Sequence, residues 1–583
     1  MDTQRCQNHG PVRLLVPLLE FNLHLLSGPH DQRSNSTGNL ILRPVVLSDG
    51  AMTIALKDVQ DAWRSLYGNT NNNHPDASGY AMQGLQITDV PGMAIAVVFQ
   101  NEWRFAYCGT SNVADQTPID ATTVFPIASL SKPITSTIIA WLFTQHRLEK
   151  GWDTPIAQLD PDYRAPEGVT FASLLAHRSG LIDHAGDSLE DLGFVRNYIM
   201  QHITNLPTWP RDPNASKYAC AYEYTNFGYS EAAFALAKAM GNAQWEDLAE
   251  KFFKLYDMKR SSYRNRDFIT RQNTVKPYQR LPVPRADRDP LPPNPRWVEP
   301  ATLRNPDAQS PAGGVTSSLI DLIEWMWLNI QAQRAATQAV EMKAHESAEF
   351  YANIRQTHVA YPDAKDPAHY GFGWNTKIDP DMGLNLSHSG AFELGAATCV
   401  SLLPNENIGI IALTNGQPIG LPEAICRQFL YDVTNNPAKP PFADTLRGAA
   451  TFMQANIYPV PSPDFSLPPT KPVIPIKNPS QIGGTYHNDY YQNVTISGSG
   501  SSKDPFLMRA GGGGETFVLT PYQELTFTFQ TTGENADGLS GVTFTTAPSG
   551  KATQLSVNHF ALPVRNGAGD LVMQPGVFKS ISQ

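Results

Sequence analysis

Phe125-Pro126-Ile127-Ala128-Ser129-Leu130-Ser131-Lys132 is the stretch that decides how this chain reads. A β-branched and aromatic run leads into it (Thr122, Thr123, Val124, Phe125, Ile127). An apolar stretch of helical length follows, with Ile134, Ile138, Ile139, Trp141, Leu142 and Phe143. The order predicts a strand, a turn and a helix N-terminus. Pro133 suits the first helical turn, where its missing N–H would have had no intrahelical partner. Ser129 and Lys132 then share one face of that turn. The unpaired N–H groups and positive dipole end there favour the anion that develops during acyl transfer. Alone the motif is weak, because about one Ser-x-x-Lys is expected by chance. In isolation, a serine cap followed by a solvated lysine is the better explanation.

Two later motifs outweigh that plain reading. Tyr224-Thr225-Asn226 stands before a helical run carrying Tyr229, Ala232, Ala233 and Leu236, and His388-Ser389-Gly390 stands ahead of the apolar Ile411-Ala412-Leu413-Thr414-Asn415. Taken in order, the three motifs read as a serine acyl-transfer site.

With these residues in view, the chain resembles the serine β-lactamase and penicillin-binding-protein superfamily. The similarity is greatest to the branch holding class C β-lactamases, D-aminopeptidases, β-lactamase-type carboxylesterases and statin-type acyltransferases. Leu174-Leu-Ala-His-Arg-Ser-Gly-Leu181, Pro311-Ala-Gly-Gly314 and Tyr370-Gly-Phe-Gly-Trp374 extend the resemblance, which covers roughly residues 80 to 435. It implies an α/β domain in which an antiparallel sheet is flanked by helices, with a helical subdomain. It also implies Ser129 as the nucleophile of an acyl-enzyme. A hydroxyl needs an adjacent base, which Lys132 could supply if burial or a neighbouring charge lowers its pKa. Tyr224 is the second candidate base, and the two would share a proton. Asn226 offers an amide able to hold both the lysine and a substrate carbonyl.

The third motif departs from the β-lactamase pattern. His388 occupies the place of a lysine whose ammonium attracts the antibiotic carboxylate, and a mostly neutral imidazole gives a weaker, pH-dependent pull. Poor turnover of β-lactams is expected. Ser389 and Gly390 would line the cleft, with Gly390 admitting substrate backbone. The N–H of Ala391 is the implied partner of the Ser129 N–H in an oxyanion hole. Trp374 is expected at the cleft wall among the substrate-binding residues. Tyr370 reads as a packed aromatic near it. His177 and His184 lack metal-ligand spacing and fall where the family has a structural turn, so neither metal nor cofactor is expected.

With 583 residues, 17% charged and 41% hydrophobic, the chain should hold two or more globular units. A net charge of −10 leaves no basic footprint for nucleic acid. Cys6, Cys108, Cys220, Cys399 and Cys426 are few, odd in number and spread out, which suggests no disulfide framework. Residues 14 to 26 are leucine-rich but broken by Pro17, Glu20 and His24, so no signal peptide or membrane span is read there. A glycan on the Asn385 sequon would crowd the proposed cleft, which favours a cytoplasmic location without excluding secretion; the sequons at Asn35, Asn214 and Asn493 are near chance frequency.

Residues 1–79 read as an extension with one helix around Ile54 to Leu66, and 80–435 as the hydrolase unit. Within that unit the Arg/Pro-rich 260–310 forms an insertion that could overhang the site. Residues 436–481 hold a helix from Ala443 to Ile457 and a proline-rich linker. Residues 482–583 alternate with period two, which implies an antiparallel β unit with Gly-rich turns such as Gly511-Gly-Gly-Gly514. A lipocalin-like barrel there is what the resemblance implies. The whole reads as a serine hydrolase acting on a small-molecule ester, amide or peptide. Acyl transfer to an alcohol or amine is the alternative within enzymes, and a silent binding or assembly protein the alternative of another class. Retention of Ser129, Lys132, Tyr224 and Asn226 together argues against silence.

Overall fold

The computed structural model describes residues 6–7, 54–68, 78–100, 102–146, 148, 150–162, 168–209, 220–241, 243–359, 370–379, 382–565 and 571–581. The leucine-rich stretch 14–26 and the sequons at Asn35 and Asn214 lie outside them. Strands β1 (Cys6–Gln7), β2 (Gly92–Phe99), β3 (Glu102–Asn112), β4 (Asn375–Asp379), β5 (Gly383–Phe392), β6 (Ala396–Leu403) and β7 (Ile408–Thr414) form one antiparallel sheet. Its order is β1-β3-β2-β7-β6-β5-β4, with Thr117–Pro118 added beside β3. Residues far apart in sequence are stitched at its centre, where Phe99 faces Ile408 and Met93 faces Thr414. Every residue of β2, β6 and β7 is buried, which is why these strands read as unbroken apolar runs rather than alternating ones.

Helices cover both faces of this sheet. On one lie α1 (Leu56–Tyr67) and α2 (Tyr80–Thr88), and on the other α3 (Ser131–Gln145). Later in the chain come α4 (Asp187–Asp191), α5 (Asn226–Ala239), α6 (Leu319–Arg334), α7 (Leu421–Val433) and α8 (Phe442–Ile457). Helix α1 buries Val59, Ala62 and Leu66, one helical stripe, and packs with α7 on the same face as α2. The helical stretch expected in the N-terminal extension is therefore part of this packed layer.

The strand expected before Ser129 is shorter than its β-branched run suggests. Phe125–Pro126 pairs with Thr316–Ser317, and Val124 adds a single bridge to Thr274. The Asp120 carboxylate accepts the Thr122 N–H at 2.7 Å and its hydroxyl at 2.8 Å, closing a turn over residues 120–123. Pro126 has no N–H to extend a ladder. The 260–310 insertion is anchored rather than loose. Gln279–Leu281 pairs with Arg296–Val298, and the Trp297 indole N–H donates to the Thr88 carbonyl at 3.0 Å. Cys108 is disulfide-bonded, whereas Cys220, Cys399 and Cys426 are buried cysteines outside any disulfide.

The C-terminal strands β8 (Gly484–Asn488), β9 (Gln492–Ser497), β10 (Phe506–Ala510), β11 (Glu515–Gln523), β12 (Thr526–Gln530), β13 (Leu539–Thr546), β14 (Ala552–Arg565) and β15 (Leu571–Ser580) form a closed eight-stranded antiparallel barrel. Tyr486, Phe506, Phe527, Phe529, Phe544 and Phe578 are among the side chains of its core. The barrel sits on the α/β unit. Its Gly511–Gly514 turn approaches Leu192 so closely that a Cβ on Gly511 would fall 2.2 Å from the Leu192 carbonyl oxygen. The Tyr490 hydroxyl accepts the Gly186 N–H at 3.1 Å, the Tyr491 hydroxyl meets Ser188 Oγ at 3.0 Å, and the Asp191 carboxylate accepts the Asn535 N–H at 2.8 Å. Helix α4 is thus gripped by the barrel at both ends. Among the described residues, no helix is long and apolar enough to cross a membrane.

Candidate active site

Ser129 sits in the single 3-10 turn Ala128–Leu130 that feeds α3. Ala128 adopts a left-handed φ of 48°, an unfavourable conformation for a residue with a Cβ, and Ser129 alone in the turn is not buried. The turn is braced from behind by β5. A Cβ on Gly390 would lie 2.2 Å from the Ile127 carbonyl oxygen, and Thr398 Oγ1 donates to that oxygen at 3.0 Å. The closeness at Gly390 therefore admits the protein's own backbone, not the substrate backbone expected from the sequence.

Lys132 projects back from the first turn of α3 and is fully buried. Its Nζ lies 2.9 Å from Ser129 Oγ, 2.7 Å from Asn226 Oδ1 and 3.1 Å from the Ala312 carbonyl oxygen. The Tyr224 hydroxyl donates to Ser129 Oγ at 2.9 Å, and Lys132 Nζ stands 4.6 Å from the centre of the Tyr224 ring. Asn226 opens α5, and its amide N–H donates to Asp187 Oδ2 at 2.8 Å. Lys132 and Tyr224, read from two separate motifs, thus converge on the Ser129 hydroxyl, and Asn226 holds the lysine beside it. Burial pushes Lys132 down to about 7 against the raising effect of Asp187, whereas burial pushes the Tyr224 phenol well above its ordinary value.

His388 is buried with both ring nitrogens engaged. Nδ1–H donates to the Ser389 carbonyl at 2.6 Å, which leaves Nε2 to accept the Tyr370 hydroxyl at 3.0 Å. Burial, with Lys132 nearby, pushes it down to about 3. The pH-dependent pull on a carboxylate expected of His388 does not arise, since this imidazole stays neutral throughout the physiological range. His177, in a left-handed turn, accepts the Thr225 N–H at 3.1 Å and packs 4.4 Å from the Tyr224 ring centre. His184 Nδ1 meets Asp187 Oδ2 at 2.7 Å.

A cleft of about 710 Å³ is lined by Ser129, Tyr224, Asn226, His388, Ser389 and Ala391. Trp374 is not among its lining residues. It is fully buried and stacks on Trp325 at 5.3 Å, because Gly373 turns the chain inward against Pro133. Sequence reading passed over several residues of the wall: Asp183, Asp187, Tyr222 and Glu223 on one side, and Arg304 from the insertion; His184, read as part of a structural turn, and Tyr370, read as a packed aromatic near the wall, line it as well. It also missed Glu393, Phe452 and Asn456, and Glu534 and Asn535 of the barrel. For Asp187 and His184 a signal existed, a carboxylate and an imidazole three residues apart shortly after the Ser179-Gly180-Leu181 turn. For Glu534 none did.

Residues 80–433 match the family model described as Beta-lactamase, and the chain belongs to that family, whose members are generally serine hydrolases. Among curated proteins it is similar to the Unguisins hydrolase ungD of Aspergillus violaceofuscus, at 22% identity over 351 residues, 57% of this chain. The match spans 59% of that relative's length. Among solved structures it is similar to a class C β-lactamase at 15% identity, covering 66% of this chain and 97% of that one with a TM-score of 0.48. It is also similar to the octameric penicillin-binding protein homologue from Pyrococcus abyssi at 16% identity, covering 86% and 98% with a TM-score of 0.47.

Proposed function

We propose that this protein is a serine hydrolase that forms an acyl-enzyme on Ser129, with Lys132 as general base and Tyr224 as proton donor. The observation that carries the reading is the set of partners around Lys132 Nζ. A neutral amine has two N–H bonds and one lone pair, and the site presents two carbonyl oxygens, Asn226 Oδ1 and Ala312 O, and one hydroxyl, Ser129 Oγ. The two carbonyls accept the two N–H bonds, so the lone pair points at the Ser129 proton.

As Ser129 Oγ attacks the substrate carbonyl carbon, its proton passes to Lys132 Nζ and the carbonyl electrons move onto oxygen. The N–H groups of Ser129 and Ala391 are the intended donors to that oxyanion. Collapse expels the alkoxide or amide, which takes the Tyr224 proton, and Tyr224 regains it from Lys132. Water then attacks the acyl-enzyme with Lys132 again as base, which returns Ser129 Oγ–H and releases the acid.

Burial pushes the cleft carboxyls Glu393 and Glu534 towards their neutral form, which leaves Asp183, Asp187 and Glu223 to stand against His184 and Arg304. Arg304 is already engaged by Glu190. This favours neutral or amine-bearing esters and amides, peptides included, over carboxylate-bearing β-lactams. Hydrolysis is preferred to transfer because the similar curated protein is named a hydrolase. The test is intact-mass analysis after incubation with a fluorophosphonate and an activated ester. A single adduct on Ser129, lost in Ser129→Ala with the fold retained by circular dichroism, is expected. An adduct on another serine, or undiminished labelling of the variant, would overturn the reading.

A further inference from the structure

The acyl-transfer reading uses Ser129, Lys132, Tyr224 and Asn226 but leaves two polar residues beside them without a role. Asp187 is almost fully buried, and one of its oxygens accepts both the Asn226 amide and His184 Nδ1, at 2.8 and 2.7 Å. His184 is half exposed and lines the cleft. Hydrogen bonds therefore run without a break from His184 through Asp187, Asn226 and Lys132 to Ser129. The barrel holds the middle of this chain, since Tyr490 and Tyr491 pin Gly186 and Ser188 on either side of Asp187.

We propose that His184, acting through Asp187 and Asn226, is a positioning residue whose charge offsets that of Asp187 and keeps Lys132 available as the base for Ser129. The inference rests on the acyl-enzyme reading above. Around Lys132 stand Tyr224, Tyr229, His177, His388 and Asp187. Of these, Asp187 is the one that raises the lysine, by favouring its charged form. Around His184 stand Asp183, Asp187, Tyr224, His177 and Lys132. Partial desolvation of this half-exposed ring at the cleft wall works against a charge on His184, but the hydrogen bond and charge of Asp187, with Asp183 beyond, outweigh it and hold the imidazole up at about 9. Lys132 and His184 disfavour each other's charge, and that coupling is reciprocal. An imidazolium at position 184 lowers Lys132 directly and also offsets the carboxylate that raises it.

His184→Gln keeps a hydrogen-bond donor for Asp187 and removes the charge. His184→Lys keeps the charge. Asp187→Asn removes the opposing charge. The rate of Ser129 labelling by a fluorophosphonate, followed against pH, should show the acid limb of His184→Gln displaced upward by about one pH unit, a roughly tenfold loss below the limb and none above it. The limb of His184→Lys should stay near that of the wild type, and that of Asp187→Asn should move down. An unmoved limb in His184→Gln, or a loss uniform across pH, would overturn the proposal. NMR titration of the Lys132 side chain in a Ser129→Ala background, with and without His184→Gln, reads the same displacement without any labelling. Failure of wild-type labelling would count against the acyl-enzyme reading alone, and an unmoved Lys132 titration against this proposal alone.

Discussion

If Lys132 is the base, the rate of Ser129 acylation must follow the fraction of lysine that carries no proton. An exposed lysine, at 10.5, would be free amine at pH 7 in about one molecule in three thousand. Burial beneath Tyr224 and Asn226 brings Lys132 to about 7, so about half is free amine at neutral pH, a gain of roughly a thousandfold. Tyr224 stays protonated well past pH 10 and contributes no limb below that. His388, at about 3, is neutral throughout and contributes none either. The second-order rate of acylation by a p-nitrophenyl ester, measured from about pH 5 to about pH 9, should therefore rise through one proton loss near pH 7 and then level off. At about pH 6 it should be near one tenth of the plateau. A flat profile, a limb near 10, or a limb that survives in Lys132→Ala would refute the assignment.

Tyr224→Phe should lower acylation by about a hundred- to ten-thousandfold while leaving the limb near pH 7 in place, because the phenol donates a proton but does not titrate there. Its combination with Lys132→Ala should be little worse than the worse single variant, which stopped-flow labelling would check, since fully additive losses would mean independent action. Nitrocefin should be turned over far more slowly than p-nitrophenyl esters, and His388→Lys should raise nitrocefin acylation relative to ester turnover; the ratio of the two kcat/KM values decides it, and wild-type nitrocefin turnover near that of ester would contradict the reading. Glu534 is a buried carboxyl whose cation, Arg304, is shared with Glu190 and Asp191 and lies 4.0 Å away; burial outweighs that pairing and pushes it up to about 8. Between about 4.5 and about 8 the folded protein holds a proton that the unfolded chain has released, so this contribution is complete below about 4.5 and lost as pH rises through 8. The wild-type Tm should fall across that window and Glu534→Gln should flatten the fall, in part only, because Glu190, Glu231 and Glu423 are raised as well; an identical slope in scanning calorimetry would dismiss the effect.

What the sequence determined by itself is what short-range geometry encodes. Ser129 and Lys132 lie three residues apart at a helix entrance, and that spacing alone brings their side chains together. Period-two alternation after residue 482 declares β-strands because side chains on a strand point to opposite faces. Tertiary structure decided what depends on groups distant along the chain. Trp374, expected at the cleft wall, stacks on Trp325 in the core, since a local aromatic motif does not say which way its loop turns. Gly390 is needed for the approach of Ile127, which lies 263 residues earlier in the sequence. Asp187 and His184 gain their place only because Asn226 packs across from α4 and the barrel grips that helix. Glu534 and Asn535 reach the cleft by closure of a separate barrel upon it. The direction of every charge shift at the site was likewise decided by folding, because burial and the charges brought near a group set its pKa, and neither can be read from the residues beside it in sequence.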